Sequence, residues 1–273
     1  MSIPKIIAFD LDGTLLTTDK RLSKRNRAAL QMAAERGTVI VPVTGRIFRG
    51  LPQVVRDLPG LKYAITCNGA SVYDIHNDRI LYRKEMDVPL VVEIMSWLDG
   101  RPLVYDCYMD DWGWITAEMY DRIEPYAPDA NLVPYIKSIR TPVPDLKAFL
   151  KQRGQSVQKI MAFCRDVDTQ RRLLSNIPFP GISVSSSATR NVEINHADAN
   201  KGAALMALAE YLNIEREDVM AFGDGLNDLT MLRAAGTGVA MGNADETVKA
   251  EADRIAADND EDGVAGVIEE IFA

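Results

Sequence analysis

The chain has 273 residues, 47% of them hydrophobic and 26% charged, with a formal net charge of −8. This length allows one large domain or two ordinary ones, and the composition fits a soluble globular enzyme rather than a disordered chain. The acidic balance disfavours nucleic acid as a partner, and no apolar run approaches the roughly 18–20 residues of a membrane helix.

The first residues, Met1-Ser2-Ile3-Pro4-Lys5, carry no signal-peptide pattern and lead into a short apolar strand, Ile6–Phe9, that ends at Asp10. Ser23 is placed to cap a helix that reaches Arg36, with Leu30, Ala33 and Ala34 inside and Gly37 as the stop. Residues 38–43 read as a second strand, ending at Thr44-Gly45-Arg46. Residues 61–67 read as a third, ending at Asn68-Gly69-Ala70, a pattern that serves equally as a turn or as the edge of a site. Residues 71–74 and 79–83 flank His76-Asn77-Asp78, which signals a hairpin with a solvated histidine.

From about Val88 the pattern changes. Residues 90–98 read as a helix stopped by Gly100, and 104–109 with 112–116 as a strand pair. Helices follow over 145–152 and 169–175, with strands over 157–164, 182–185 and 191–194. Trp112 and Trp114 alternate on one strand and so share a face, either packed or turned to substrate. This α+β insert, expected over 88–190, is long enough to be a domain with its own core. The core is expected over 1–87 and 191–273.

The strand–helix rhythm then returns. A helix over 201–212 carries Leu205, Leu208, Ala209 and Leu212 on one face. A strand over 219–222 ends at Gly223-Asp224; a helix over 226–235, a strand over 238–241 and helices over 247–252 and 263–272 complete the chain. Such alternation predicts an α/β fold, a Rossmann-like and mostly parallel sheet. Cys67, Cys107 and Cys164 lie far apart without metal-type spacing and read as buried thiols of a reducing compartment, the cytoplasm.

Four polar stretches share one placement. Asp10-Leu11-Asp12 follows the first strand, Thr44-Gly45-Arg46 the second, Lys201 opens a helix, and Gly223-Asp224-Gly225-Leu226-Asn227-Asp228 follows a late strand. In an open α/β sheet ligands bind outside the carboxyl ends of the strands, so these stretches can converge. Asp10, Asp224 and Asp228 offer hard oxygen ligands with no His or Cys among them, which favours Mg2+ over zinc. Lys201 adds positive charge, and Thr44 with nearby backbone N–H groups can donate to an oxyanion. Together these suit a phosphoryl group, whose transfer depends on positioning and charge neutralisation, with one Asp able to attack phosphorus. Two carboxylates as close as Asp10 and Asp12 also demand a cation or a shared proton.

The order D-x-D-G-T, T-G-R, K-G and G-D-x-x-N-D resembles the haloacid dehalogenase superfamily, and within it the Cof-type phosphatases with a large α/β type-II cap. The resemblance extends to Cys67-Asn68-Gly69-Ala70, Val192-Glu193-Ile194 and Ala240-Met241-Gly242-Asn243-Ala244. It implies a Mg2+-dependent phosphatase that works through an aspartyl-phosphate. Asp10 would be nucleophile and metal ligand. Asp12 would be general acid and then base, carrying a proton beside Asp10, with its backbone carbonyl on the metal. Asp224 would complete the metal site and Asp228 support it. Thr44, Gly45, Arg46, Lys201 and Asn227 would bind the phosphoryl group, although Arg46 could instead pair with an acid. One departure is Asn195-His196, where many relatives have an apolar residue and proline; it leaves the cap-hinge contacts of His196, and so the substrate, open. The expected partner is a small phosphorylated metabolite such as a sugar phosphate, and the expected state a monomer or weak homodimer. A phosphotransferase or mutase of the same fold, and a non-catalytic phosphometabolite sensor, are the alternatives.

Overall fold

Alternation along a buried strand decides the layers of this molecule, a computed structural model that describes Ile3–Ala273. The expectation for Met1 and Ser2 lies outside the described residues. In the Ile6–Phe9 strand, Ile6 and Ala8 join a cluster with Val41, Leu205, Leu208 and Ala221. Ile7 and Phe9 join Leu30, Ala33, Ile40, Val264 and Ile268 on the other face. Both faces are therefore apolar, as in a parallel sheet covered by helices on each side. Each such Leu or Ile contributes about 1.5–3 kcal/mol by leaving water.

The strand order is Arg254–Ile255, Thr237–Ala240, Val219–Gly223, Ile6–Phe9, Val39–Pro42, with every pairing parallel. The helix Lys24–Glu35 starts as expected, with the Ser23 hydroxyl accepting from the Asn26 N–H at 2.9 Å. The segment expected over 61–67 is the strand Tyr63–Thr66. It pairs antiparallel with Ser71–Asp74 in a three-stranded sheet completed by Arg79–Arg83, and a Val43–Ile65 bridge joins it to the end of the parallel sheet.

The chain divides into two compact units: one ends at Arg83 and resumes over Asn200–Ala273, and the other is Lys84–Ala199. The second boundary lies further along than the expected 190/191. The reason is the strand Asn191–His196, which pairs with Lys159–Cys164 and Ile182–Ser185 inside the insert. Its Val192 and Ile194 are buried in the insert's core beside Leu103, Cys107 and Leu173. The first boundary shifts from 87/88 to 83/84, because Met86 is bonded to Val157 of the insert through both backbone N–H groups.

The insert holds a six-stranded sheet, ordered Ile182–Ser185, Asn191–His196, Lys159–Cys164, Leu103–Met109, Trp112–Thr116, Arg140–Val143. Trp114 is packed on the insert's core: it lies 4.6 Å from the Phe149 ring and donates to the Met109 carbonyl at 3.2 Å. Trp112 donates to the Thr141 hydroxyl at 2.7 Å. His196 Nδ1 accepts from the Asp198 N–H at 3.1 Å. Short helices at Ala117–Asp121 and Val133–Ser138, the strand Arg140–Val143 and the edge strand Arg254–Ile255 are absent from the sequence expectation. They are too short to show periodicity, and Pro142 sits in a strand only because that strand is at the sheet edge. All three cysteines are buried thiols, none in a disulfide. Among the described residues no helix is long and apolar enough to cross a membrane.

Candidate active site

The strands Ile6–Phe9 and Val219–Gly223 are parallel neighbours in register, Phe9 beside Phe222, so Asp10 and Asp224 leave the sheet side by side. The chain runs outward in opposite directions from this pair, which makes their carboxyl ends the topological switch point of the sheet. The Asp10 N–H donates to the Phe222 carbonyl at 3.0 Å. The helix Lys201–Tyr211 begins with the Asn200 side chain accepting from the Ala203 N–H at 2.8 Å. That cap sends Lys201 inward, 1% exposed. Its Nζ lies 2.6 Å from Asp10 Oδ1 and 2.6 Å from Asp228 Oδ1.

Asp228 braces the last loop. Its second oxygen, Oδ2, accepts from the backbone N–H groups of Asp224 at 3.0 Å and Gly225 at 2.9 Å. The loop therefore folds back, and the helix expected over 226–235 is instead a 3-10 turn at Leu226–Asp228 followed by the helix Leu229–Ala234. Asp224 Oδ1 accepts from the Thr14 hydroxyl at 2.7 Å. Carboxylate oxygens of Asp10, Asp224 and Asp228 all lie within 4.8 Å of one another.

Three acids around one lysine leave negative charge in excess. Burial pushes the Asp10 carboxyl up to about 7; the charges of Asp228 and Asp224 add to this, and Lys201 opposes it. Burial likewise raises Asp224 to about 6, with Asp228 and Asp12 adding and the Thr14 hydroxyl and Lys201 opposing. For Lys201, burial works against the charge, but Asp10 and Asp228 more than offset it and its pKa is raised. An all-oxygen donor set with unneutralised charge fits a hard divalent cation.

Asp12 stands differently from the expectation that it carries a proton beside Asp10. Arg46 grips it with both prongs, Nε to Oδ2 and Nη2 to Oδ1, each at 2.9 Å. Lys20 Nζ is 2.9 Å from Oδ1. Burial acts to raise the Asp12 pKa, yet Arg46 and Lys20 outweigh it and hold the carboxyl at about 2. Of the pair, Asp10 is thus the readier to hold a proton without metal. Arg46 takes the acid-pairing role that the sequence left open for it.

Thr44 is 1% exposed; its N–H donates to the Ile65 carbonyl at 2.9 Å and its hydroxyl accepts from the Arg46 N–H at 3.2 Å. Gly45 continues that turn and Asn227 is exposed in the Asp224 loop. The Asn68-Gly69 stretch is a turn that packs against the Thr44 turn and the start of the Lys201 helix. Cys67, Asn68 and Gly69 have φ of 51°, 60° and 92°, and the Asn68 N–H donates to the Thr44 carbonyl at 3.0 Å. A Cβ on Gly69 would overlap the Asn200 carbonyl at the start of the Lys201 helix. His76 is exposed in its hairpin.

Thr14, Lys20 and Asn243 are supporting residues to which the sequence assigned no part. Asn243 Nδ2 donates to the Gly13 carbonyl at 2.8 Å. Thr14 and Asn243 lie inside quoted motifs, which was the available signal; Lys20 lies in none and is turned by a left-handed φ of 60°. Gly13 has φ +94°, and a Cβ there would overlap the Asp224 carboxylate. Gly13→Ala is expected to displace that carboxylate and weaken metal-dependent activity about 10²-fold, the usual scale for an error of about 1 Å in a reacting geometry. Activity titrated against metal concentration checks it; an unchanged titration curve contradicts it.

A parallel α/β sheet with a buried acid–lysine centre at its switch point defines the class: an α/β enzyme core carrying an inserted domain. Residues 7–268 match the family described as haloacid dehalogenase-like hydrolase. The chain belongs to this family, as its motifs implied. It is 30% identical to phosphatase YwpJ of Bacillus subtilis (strain 168), covering 98% of this chain and 100% of the relative. It is 32% identical to pyridoxal phosphate phosphatase YbhA of Escherichia coli (strain K12), over 97% of each chain. A solved haloacid dehalogenase-like hydrolase from Bacteroides thetaiotaomicron superposes with a TM-score of 0.84 at 29% identity, covering 98% of this chain and all of the other.

Proposed function

We propose that this protein is a Mg2+-dependent phosphomonoesterase that hydrolyses a small phosphorylated metabolite through an aspartyl-phosphate on Asp10. The observation that carries this reading is Lys201 Nζ, buried and 2.6 Å from both Asp10 and Asp228, beside Asp224 at the switch point. Asp10, Asp224 and the backbone carbonyl of Asp12 would hold Mg2+, which when bound supplies positive charge to the phosphoryl oxygens.

In the first step an Asp10 oxygen bonds to phosphorus while the phosphorus–oxygen bond to the alcohol breaks. Lys201, Thr44 and Asn227 hold the phosphoryl oxygens. In the second step water bonds to phosphorus, the Asp10–phosphorus bond breaks, and Asp12 takes the water's proton. Asp12 is ionised where it lies between Arg46 and Lys20, which suits it as this base. To donate to the leaving alcohol it must first gain a proton against those two cations. The Lys84–Ala199 unit is assigned substrate selection, since the residues of the phosphoryl centre come from the other unit. The relative active on pyridoxal phosphate supports a small-metabolite substrate.

Phosphate release across a panel of sugar phosphates, pyridoxal phosphate and phosphoglycolate, with and without Mg2+ and an added sugar acceptor, tests the reading. Release that needs Mg2+ and not the acceptor is expected, with Ca2+ inhibiting because it prefers more ligands and longer bonds. Transfer to the acceptor without release would identify a phosphotransferase; full activity in EDTA would refute the metal site.

Metal binding also predicts a pH dependence. Asp10 and Asp224 have folded pKa values, about 7 and about 6, above the ordinary 3.8. Without metal, their burial therefore costs nothing below pH 3.8 and weakens the fold increasingly as pH rises towards about 7. Mg2+ needs both ionised, so it removes that penalty and competes with protons. At a hundredfold excess over Kd, Mg2+ should raise Tm by roughly 5 °C at about pH 8, and by clearly less at about pH 5.5. Thermal melts in Mg2+ and in EDTA measure this. A stabilisation that grows on acidification would contradict it.

A further inference from the structure

We propose that Arg46 is a positioning residue that fixes the Asp12 carboxylate for proton transfer, and that it does not hold the phosphoryl group. This rests on the function proposed above.

Three observations carry it. First, the Arg46 guanidinium meets Asp12 as a fork on a carboxylate, with Nε on Oδ2 and Nη2 on Oδ1, both at 2.9 Å. A two-pronged contact fixes both the position and the plane of the partner, which a single contact cannot do. Second, the remaining prong is tied to the protein: Arg46 Nη1 donates to the Gly50 carbonyl at 3.2 Å. The guanidinium is thereby held from behind by the 3-10 turn Phe48–Gly50 while its front faces Asp12. Third, the backbone that presents Arg46 is braced from two sides. Its N–H donates to the Thr44 hydroxyl at 3.2 Å, and its carbonyl accepts from the Cys67 N–H at 2.9 Å. The strained Cys67–Gly69 turn therefore supports both the Thr44 turn and the arginine that orients Asp12. Lys20 adds a second contact to Asp12 Oδ1 at 2.9 Å, but from a mostly exposed side chain, so the orientation depends chiefly on Arg46.

The pairing separates two jobs that the T-G-R stretch could have combined. Thr44 is left for the phosphoryl oxygens. Arg46 acts one group away, on the residue that moves protons. Loss of Arg46 should then slow turnover without loosening the grip on phosphate.

The test uses the full-length Mg2+-loaded protein and an alkyl phosphate that the wild type hydrolyses, because a poor leaving group makes Asp12 matter in both steps. Arg46→Ala is expected to lower kcat by about 10²-fold, while KM and competitive inhibition by inorganic phosphate change less than about threefold. Arg46→Lys should recover only part of the loss, since an ammonium offers no fork. In an Asp12→Asn background, Arg46→Ala should cost almost nothing more, as for groups that act as a unit. A merely structural arginine would give additive losses and a lowered Tm; that pattern overturns the proposal. A weakening of phosphate inhibition in step with the fall in activity overturns it too and makes Arg46 a phosphate ligand. If Arg46→Ala does not fold, the Arg46→Lys pair of measurements with and without Asp12→Asn decides in the same way. Failure of the underlying function is separate, because then the wild type itself releases no phosphate from any member of the panel.

Discussion

Asp10→Asn is expected to reduce phosphate release by roughly 10⁴-fold or more, the scale seen when a covalent nucleophile is removed. The change takes away the attacking charge and one proposed metal ligand while keeping the shape of the side chain. The fold should survive for a specific reason. Asp10 is one of three acids around Lys201, and its carboxyl is the one driven up to about 7 by burial and by its acidic neighbours. An amide there relieves that crowding, and the Lys201–Asp228 contact at 2.6 Å remains to neutralise the lysine. Thermal stability in EDTA at about pH 8 should therefore stay within about 1 kcal/mol of wild type, while Mg2+ loses most of its stabilising effect. Turnover above a few per cent of wild type in a carefully purified Asp10→Asn protein would show that another group attacks phosphorus.

Lys201→Met should do the reverse in one respect: it should damage both activity and stability. Lys201 is 1% exposed and is the shared cation of Asp10 and Asp228. Without it two buried carboxylates face each other with no intervening charge. Breaking a buried pair by removing one partner typically costs about 3–5 kcal/mol. The sign of the pH dependence follows from the acids left behind. The Asp10 carboxyl, already raised by burial, rises further when its lysine is gone, so the penalty is full at high pH and disappears as Asp10 protonates. The gap in Tm between Lys201→Met and wild type should therefore narrow as pH falls below about 7, the value Asp10 already has with its lysine in place. It should also narrow in an Asp10→Asn background, where one of the two opposed charges is gone. Melts over this pH range, with and without Asp10→Asn, measure both effects. A Lys201→Met protein as stable as wild type at about pH 8 would mean that the lysine does not neutralise the acids.

Much of this centre is legible in the sequence itself. Asp10 and Asp224 could be found because each ends a short apolar strand, and an acid at the carboxyl end of a parallel strand has a definite place in an α/β sheet. Lys201 could be found because a lysine at a helix start opposes the helix dipole and asks for an anion, and Asp10 and Asp228 answer it. The layers were legible in the same way: Ser23 caps its helix, and the strand–helix rhythm sets the parallel core. These signals are local, since periodicity, caps and strand ends are properties of a few consecutive residues.

What depended on distant partners was decided only by the tertiary structure. Asp12 and Arg46 are 34 residues apart, and nothing near either one shows that a fork will meet a carboxylate. That meeting lowers the Asp12 carboxyl while burial raises Asp10, a difference that the closeness of the two acids in sequence left open. Asn191–His196 shows the same limit in the backbone. Its Val192 and Ile194 mark a strand with one apolar face, but the choice of sheet was made by Lys159–Cys164, which offers the paired edge inside the insert. Sequence carried the type and approximate extent of the longer elements because these follow from local dihedral and burial preferences. It did not carry the pairings, because the energy of a strand edge or an ion pair is realised only when the chain brings its second half into contact.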